Sequence, residues 1–365
     1  MLKELDLHIT NRCTSKCQYC SFSSGRLNLE ELTFDEIKQN IEDAISLGCE
    51  HVHITGGEPL MRADVFDIIE FVISKKLEVR LQTNGTLLNE EKIKRLENIG
   101  LKSIMISLDS CFEEKHDQTR GKGTYQTTIS AIKSILKTDI SLRVNSVITK
   151  VNYQDLYKTI KFLYRMGIRN YSAFYFSPIG VGRSRIEDWL SPMEYKNFWN
   201  ELNKKIKEQK HLFPDMNIII EKGYADWKEA SRIDISDFSG CGGGCMDTYK
   251  KREYLILRSD GNVYPCIMAI DDIPLGNVRQ TSLKDIYQNS PEWTRMLLKN
   301  DPECINCEHF RLCGEGCRFY PNTGNNSKTL HDHRCIKGRI VPLCPIMKYN
   351  MLNERLGGSS DDVME

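Results

Sequence analysis

The sequence predicts an α/β fold, a partial (β/α)6 barrel followed by a smaller cysteine-rich domain, and three observations predict it. Between residues 5 and 176, short β-rich runs alternate with amphipathic helical runs. The suspicious polar, glycine-rich and cysteine-rich segments all fall at the C-terminal ends of the predicted strands. Around residue 236 the apolar periodicity fades, and cysteine, glycine and short hairpin signals replace it. Six βα units in succession require a parallel sheet, because each crossover helix returns the chain to the same end.

The elements follow in order. Leu5–Ile9 is the first strand, and Thr33-Phe34-Asp35-Glu36 is a capping box that opens a helix to about Leu47. His51–Ile54 is the second strand, with Asp64 expected to cap a helix through Ser74. Glu78–Leu81 is the third, followed by a helix over about 89–98. Ser103–Ser107 is the fourth, with a helix from about Thr124 to Lys137. Ser141–Ile148 is the fifth, with a helix capped near Asn152, and Tyr171–Phe176 is the sixth. Ser177–Arg183 has no regular pattern, Ser191-Pro192-Met193-Glu194 opens another helix, and residues 217–221 form a seventh strand or a connector. The expected organisation is a barrel over 1–180, a bridging helical segment over 181–236, a cysteine-rich domain over 237–348, and a partly disordered tail over 349–365.

Composition narrows the function classes. Lysine plus arginine equals aspartate plus glutamate, 50 each in 365 residues, so nothing favours a polyanionic partner such as nucleic acid. No apolar run approaches the roughly 20 residues needed to span a bilayer. The N-terminus lacks the apolar core of a signal peptide, so a cytoplasmic, soluble protein is expected. Fourteen cysteines then point to metal, because disulfides are rare in a reducing cytosol. Three sit at the start and nine lie between Cys241 and Cys344, while Cys49 and Cys111 read as isolated thiols.

In sheets of this kind the active site lies at the C-terminal ends of the strands. There stand the Cys13-x3-Cys17-x2-Cys20 loop, Thr55-Gly56-Gly57-Glu58-Pro59, Thr83-Asn84-Gly85 and Ser107-Leu108-Asp109. Three thiolates hold three irons of a 4Fe–4S cluster and leave the fourth open to chemistry. The alternative is zinc, which usually takes four ligands, and the loop holds no fourth cysteine or histidine.

The cysteine loop after strand one, together with Gly56-Gly57-Glu58-Pro59 after strand two, resembles the radical S-adenosylmethionine (SAM) enzymes over about residues 5–180. The resemblance implies that SAM chelates the open iron and is split to methionine and a 5′-deoxyadenosyl radical that abstracts a substrate hydrogen. Gly56 and Gly57 would let the backbone approach the ligand, Glu58 would pair with its amino group, and Pro59 would stiffen the turn. Tyr19 stands where the family puts an aromatic against adenine. Ser107, Asp109 and Asn145 are ribose or carboxylate contacts by position, with turn or capping chemistry as the alternative.

The second constellation is Cys245-x15-Gly261-x4-Cys266, then Cys304-x2-Cys307-x5-Cys313-x3-Cys317, then Cys335. It resembles the SPASM extension of radical SAM enzymes, which implies two auxiliary 4Fe–4S clusters besides the SAM-binding one. Cys245, Cys266 and Cys317 would hold the first, with Cys241 the nearest fourth ligand or the site left open. Cys304, Cys307, Cys313 and Cys335 would hold the second, and Cys344 is left over. Zinc ribbons are the alternative for such paired knuckles. Asp260-Gly261 turns a hairpin over Tyr254–Tyr264 that delivers Cys266.

SPASM-type enzymes mostly modify peptides, and others act on cofactors. The first expectation is therefore a maturase of a ribosomally synthesised peptide, by crosslinking, epimerisation or oxidation. The second is a cofactor-biosynthesis enzyme such as a haem-precursor (tetrapyrrole) decarboxylase, and the third a non-catalytic scaffold or electron carrier. The chain opens directly on strand one, so no fused leader-peptide-binding domain is expected and a separate recognition protein would serve. Ile267 follows Cys266 where sulfatase-maturing relatives place a catalytic aspartate, which ranks that activity low. A flavodoxin or ferredoxin is the expected electron donor. No catalytic acid or base is singled out.

Overall fold

The computed structural model describes residues 1–222, 224–226, 252–272, 274–293, 306–309, 340–342 and 348–350. Seven strands run parallel and neighbour each other in chain order: β1 (Glu4–His8), β2 (His51–Thr55), β3 (Glu78–Thr83), β4 (Ser103–Ser107), β5 (Ser141–Ile148), β6 (Asn170–Tyr175) and β7 (Asn217–Glu221). The run at 217–221 is thus a strand, pairing Asn170 with Asn217 in parallel register. The segment after β6, whose sequence shows no regular pattern, forms a kinked 3-10 helix over Gly180–Asp188.

Crossover helices cover one face of this sheet: α1 (Phe34–Ser46), α2 (Val65–Ser74), α3 (Glu90–Asn98), α4 (Glu113–Arg120), α5 (Thr124–Ile135) and α6 (Leu156–Arg165). The core lies between the two layers. Leu5, Leu7, Val52, Ile54, Leu81, Ile104 and Ile106 on the strands meet Ile37, Ile41, Ile68, Ile69, Leu96, Ile132 and Leu163 on the helices. The intervening strand residues, among them Asp6, His53, Arg80, Ser107 and Asn145, face the other way and line an internal cavity.

Local chemistry accounts for most boundaries. Thr33 and Glu36 form the expected reciprocal capping box on α1, and Ser191 with Glu194 does the same for α7 (Pro192–Glu208). Two expected caps are corrected. Asp64 precedes α2 without capping it, because its carboxylate is held by the Arg62 guanidinium at 2.6 and 3.0 Å. Asn152 does not cap α6, which starts at Leu156. Its side chain instead joins the Asp109 and Val147 carbonyls at 2.9 and 2.8 Å to the Thr149 N–H, 2.9 Å away. Helix α4 is unexpected, since Glu113-Glu-Lys-His-Asp-Gln-Thr-Arg120 has no apolar periodicity and buries His116, Thr119 and Arg120 instead.

Beyond a short β8 (Tyr224–Asp226), the C-terminal part continues the same sheet. Strand β9 (Tyr254–Leu257) pairs in parallel with β1, and β10 (Asn262–Tyr264) and β11 (Gly276–Asn277) extend it antiparallel. The expected hairpin turn is present: Gly261 takes φ +86° and Asp260 Oδ1 accepts from the Asn262 N–H at 3.1 Å. Helix α8 (Leu283–Asn289) follows, and β12 (Ile340–Pro342) and β13 (Lys348–Asn350) pair with β8 and β7. No helix of the described residues is long and apolar enough to cross a membrane.

Candidate active site in the barrel lumen

One cavity of about 600 Å³ runs through the lumen, from Cys13, Cys17 and Cys20 at the C-terminal ends of the strands to Lys3, Glu4, His51 and Arg80 at the floor. Of the residues singled out in the sequence, Tyr19, Gly56, Gly57, Ser107 and Asn145 line it. Ser107 Oγ donates to Asn145 Oδ1 at 3.3 Å across neighbouring strands.

The three thiols form no disulfide. The Ser15 N–H points at Cys13 Sγ and the Ser24 N–H at Cys20 Sγ, each at 3.4 Å, and Asn84 Nδ2 reaches Cys13 Sγ at 3.8 Å. Burial pushes the Cys13 thiol up to about 11 and the Cys17 thiol up to about 12. Left alone these groups stay neutral, and a metal converts them to thiolates. Three soft ligands at one end of a cavity, with N–H donors aimed at the sulfurs, fit an iron–sulfur cluster, which Cys13, Cys17 and Cys20 would hold.

Gly56 and Gly57 have a different first duty from the expected ligand approach. A Cβ on Gly56 would lie 2.4 Å from the Thr10 carbonyl oxygen, and one on Gly57 would lie 2.1 Å from that of Arg12. The Gly57 and Glu58 N–H groups donate to those two carbonyls at 2.7 and 2.8 Å. The glycines therefore clamp the cysteine loop to the end of β2, and only their free side meets the cavity. Pro59 is buried and begins a 3-10 turn.

Glu58 is wholly buried and outside the cavity lining. Its carboxylate accepts from the Thr83 hydroxyl at 2.7 Å, the Asn84 N–H at 2.8 Å and the Leu60 N–H at 3.2 Å. Burial raises its carboxyl above the ordinary value, and the Asn84 and Thr83 hydrogen bonds offset part of that. In this structure it fixes the Asn84 loop instead of facing a ligand's amino group. Asn84, noted in the sequence only as part of the rim, then ties Thr14 and Ser15 at 2.9 and 3.1 Å.

Asp109 is likewise wholly buried and off the cavity wall. Its carboxylate takes a bidentate pair from Arg120, Nε to Oδ2 at 2.8 Å and Nη2 to Oδ1 at 3.1 Å. It also accepts from the Tyr19 and Thr119 hydroxyls and the Val147 N–H. Burial alone would raise this carboxyl; the Arg120 guanidinium outweighs it and holds the group below the usual range. Asp109 thus orients Tyr19 and Arg120, and these two line the cavity in its place.

The floor was missed in the sequence. Asp6 Oδ1 meets His53 Nδ1 at 2.6 Å, Tyr254 donates its hydroxyl to Asp6 Oδ2, and the His53 Nε2 is buried with no hydrogen-bond partner among the described residues. Arg80 stands beside His53 in register on β3. Parallel strands buried on both faces are normally apolar throughout, so the alternation in Glu4-Leu5-Asp6-Leu7, His51-Val52-His53-Ile54 and Glu78-Val79-Arg80-Leu81 was the available signal of a polar lumen.

Cys266 is buried at the end of β10, and the turn after it brings Ile267 and Met268 to the cavity wall. Cys307 is half-buried. Cys241, Cys245, Cys304, Cys313, Cys317, Cys335 and Cys344 lie outside the described residues, as do the 236 boundary and the tail beyond 350.

Comparison with known proteins agrees with this geometry. The Radical SAM superfamily profile matches residues 7–163, and that of SPASM, an iron–sulfur cluster-binding domain, matches 245–308. The chain is 29% identical over 335 residues to the AdoMet-dependent heme synthase of Methanosarcina barkeri, covering 87% of this chain and 92% of that one. It is 26% identical over 331 residues to the subtilosin biosynthesis protein AlbA of Bacillus subtilis, covering 88% and 68%. Streptococcus suis SuiB bound to S-adenosylmethionine superposes with a TM-score of 0.73 at 18% identity, over 92% of this chain and 77% of that one. The cysteine loop and the Gly-Gly clamp thus fall within the part of the chain that matches the radical SAM superfamily, residues 7–163, and the hairpin leading to Cys266 falls within the part that matches the SPASM iron–sulfur cluster-binding domain, residues 245–308.

Proposed function

We propose that the protein uses radical SAM chemistry to take a hydrogen atom from a ribosomally synthesised peptide, on the way to a crosslinked, epimerised or oxidised product. Bound at the upper end of the lumen, a reduced 4Fe–4S cluster and SAM would supply the 5′-deoxyadenosyl radical. Cys13, Cys17 and Cys20 would hold the cluster. The backbone at Gly56 and Gly57, with Asn84, Ser107 and Asn145, would seat SAM, and Tyr19 and Arg120 would flank it. The buried Glu58 and Asp109 would keep these groups in place.

The observation that carries the peptide reading is the size of the lumen cavity. About 600 Å³ has to hold the cofactor and the reacting part of the substrate together. One side chain projecting from an extended peptide asks for little of that space, whereas a whole macrocycle asks for most of it. The relatives AlbA, MftC and SkfB, at 24–27% identity, are named for bacteriocin biosynthesis, mycofactocin maturation and killing-factor maturation. A second reading, decarboxylation of a tetrapyrrole, is favoured by the 29% identity to a haem synthase of nearly the same extent.

We further infer three clusters, the two auxiliary ones on Cys245, Cys266 and Cys317 with Cys241, and on Cys304, Cys307, Cys313 and Cys335. The reach of the Cys266 turn into the lumen supports an auxiliary cluster near the substrate. A flavodoxin or ferredoxin donor, a separate peptide-recognition protein and a cytoplasmic location complete the reading.

Anaerobic reconstitution with reductant and SAM tests it. The expected results are about twelve irons per chain and 5′-deoxyadenosine formation that rises with a candidate peptide, with the peptide's mass shifted. Loss of carbon dioxide from a propionate-bearing tetrapyrrole, with peptides inert, would establish the second reading. No 5′-deoxyadenosine with either would sink both.

A further inference from the structure

We propose that the floor of the lumen is a carboxylate-binding subsite, in which Arg80 and Arg143 receive an acidic group of the substrate. The inference rests on the reading of the lumen as the substrate site and names the chemistry that the substrate must carry.

Arg80 lines the cavity, is exposed to it, and makes no hydrogen bond or ion pair with any described residue. Arg143, half-buried on β5, shares a face with Asn145 and Val147, which line the cavity. Its only hydrogen bond among the described residues is a long one, 3.5 Å to the Tyr171 carbonyl. Burial, and then the charge of Arg80, depress the ionisation of Arg143, so the two cations lie close enough to repel each other.

The carboxylates nearby do not neutralise them. Asp6 is held by His53 and Tyr254, Glu253 by Lys3 at 2.7 Å, and Glu221 accepts from the Tyr175 N–H at 2.8 Å. Glu4 brings a carboxylate oxygen within 4.8 Å of the Asp6 carboxylate and the His53 ring, and forms no ion pair with either arginine among the described residues. The half-buried Arg143 gains from a paired anion, and guanidinium groups take carboxylates through two parallel N–H donors. The His53 Nε2, on a ring fixed by Asp6, has no hydrogen-bond partner among the described residues and stands at the same floor.

The placement suits a substrate that reacts above. Arg80 lies on β3, four residues before Asn84, which follows the C-terminal end of that strand, about 13 Å away along the strand direction at the usual rise. An acidic group anchored at Arg80 therefore leaves the rest of a side chain pointing toward the thiol end. Two sources fit that chemistry: a glutamate or aspartate side chain of a peptide, and a propionate of a tetrapyrrole.

The test is equilibrium binding to the full reconstituted chain with SAM present. One pair of probes is coproporphyrin and its neutral tetra-amide; the other is a short peptide with one glutamate and the same peptide with glutamine. In at least one pair the acid should bind the wild type about tenfold more tightly, as one charge-assisted pair warrants, and the preferred pair identifies the source. Arg80→Gln should abolish that preference and Arg80→Lys should keep part of it, which separates charge recognition from misfolding. Equal binding of acid and neutral probe in both pairs would overturn the subsite. So would a preference that survives in an Arg80→Gln/Arg143→Gln variant. Wild-type 5′-deoxyadenosine formation is a separate readout. Acid preference without it would sink the radical reading and keep the subsite; turnover without acid preference would do the reverse.

Discussion

At the residue scale, the buried Asp109–Arg120 pair is the most demanding feature beneath the site. Both side chains are inside the protein, at 0% and 8% exposure, so removing either partner strands a charge. Asp109→Asn or Arg120→Gln should destabilise the fold by about 3–5 kcal/mol, seen as a lower melting temperature. The double variant should cost less than the sum of the two. Two buried histidines set a pH dependence. Burial lowers the His8 pKa to about 3 and that of His116 to about 4. The unfolded chain protonates these rings near 6.5, so their neutral forms stabilise the fold fully above that pH. That stability is lost as pH falls from about 6.5 toward about 3–4, amounting to about 2 kcal/mol for each at pH 5. His8→Phe keeps a ring against Phe22, whose centroid is 3.9 Å away, but cannot protonate. It should flatten the drop in melting temperature between pH 7 and pH 5.

At the element scale, the turn after β2 is tied to the turn after β1 by backbone contacts that admit no side chain. Gly57→Ala forces a Cβ against the Arg12 carbonyl oxygen, which cannot swing aside as a long side chain would. The cysteine loop must then shift, and the reconstituted variant should hold about four irons fewer than the wild type, measured by iron and sulfide content. The order and direction of β1 to β6 and the α1 and α7 caps were legible, because short β-rich runs and Ser or Thr capping boxes act locally. Helix α4 was not, because its buried face is polar: His116 and Arg120 serve Asp109, a long-range partnership that no apolar period reports. Glu58 and Asp109 were legible as special residues, but the sequence placed them against the ligand. The fold withdraws both one layer behind it, since their oxygens are taken by Asn84, Thr83, Arg120 and Tyr19.

At the scale of the whole molecule, the barrel and the cysteine-rich part share one sheet. Strand β9 covers the edge of β1, and Tyr254 completes the floor through Asp6. A fragment ending at residue 226 would expose that edge and leave the apolar flank of β1 uncovered. It should be largely insoluble or aggregate on expression, with the full chain as the reference in size-exclusion chromatography. The sequence by itself determined the chemistry available to this protein: thiol spacing, glycine pairs and parallel βα order are local or short-range, and each restricts the answer alone. Only the tertiary structure decided which polar groups reach the lumen and which support it from behind. That choice depends on side chains from strands far apart in sequence, such as Asp6 and Tyr254, competing for the same buried hydrogen bonds.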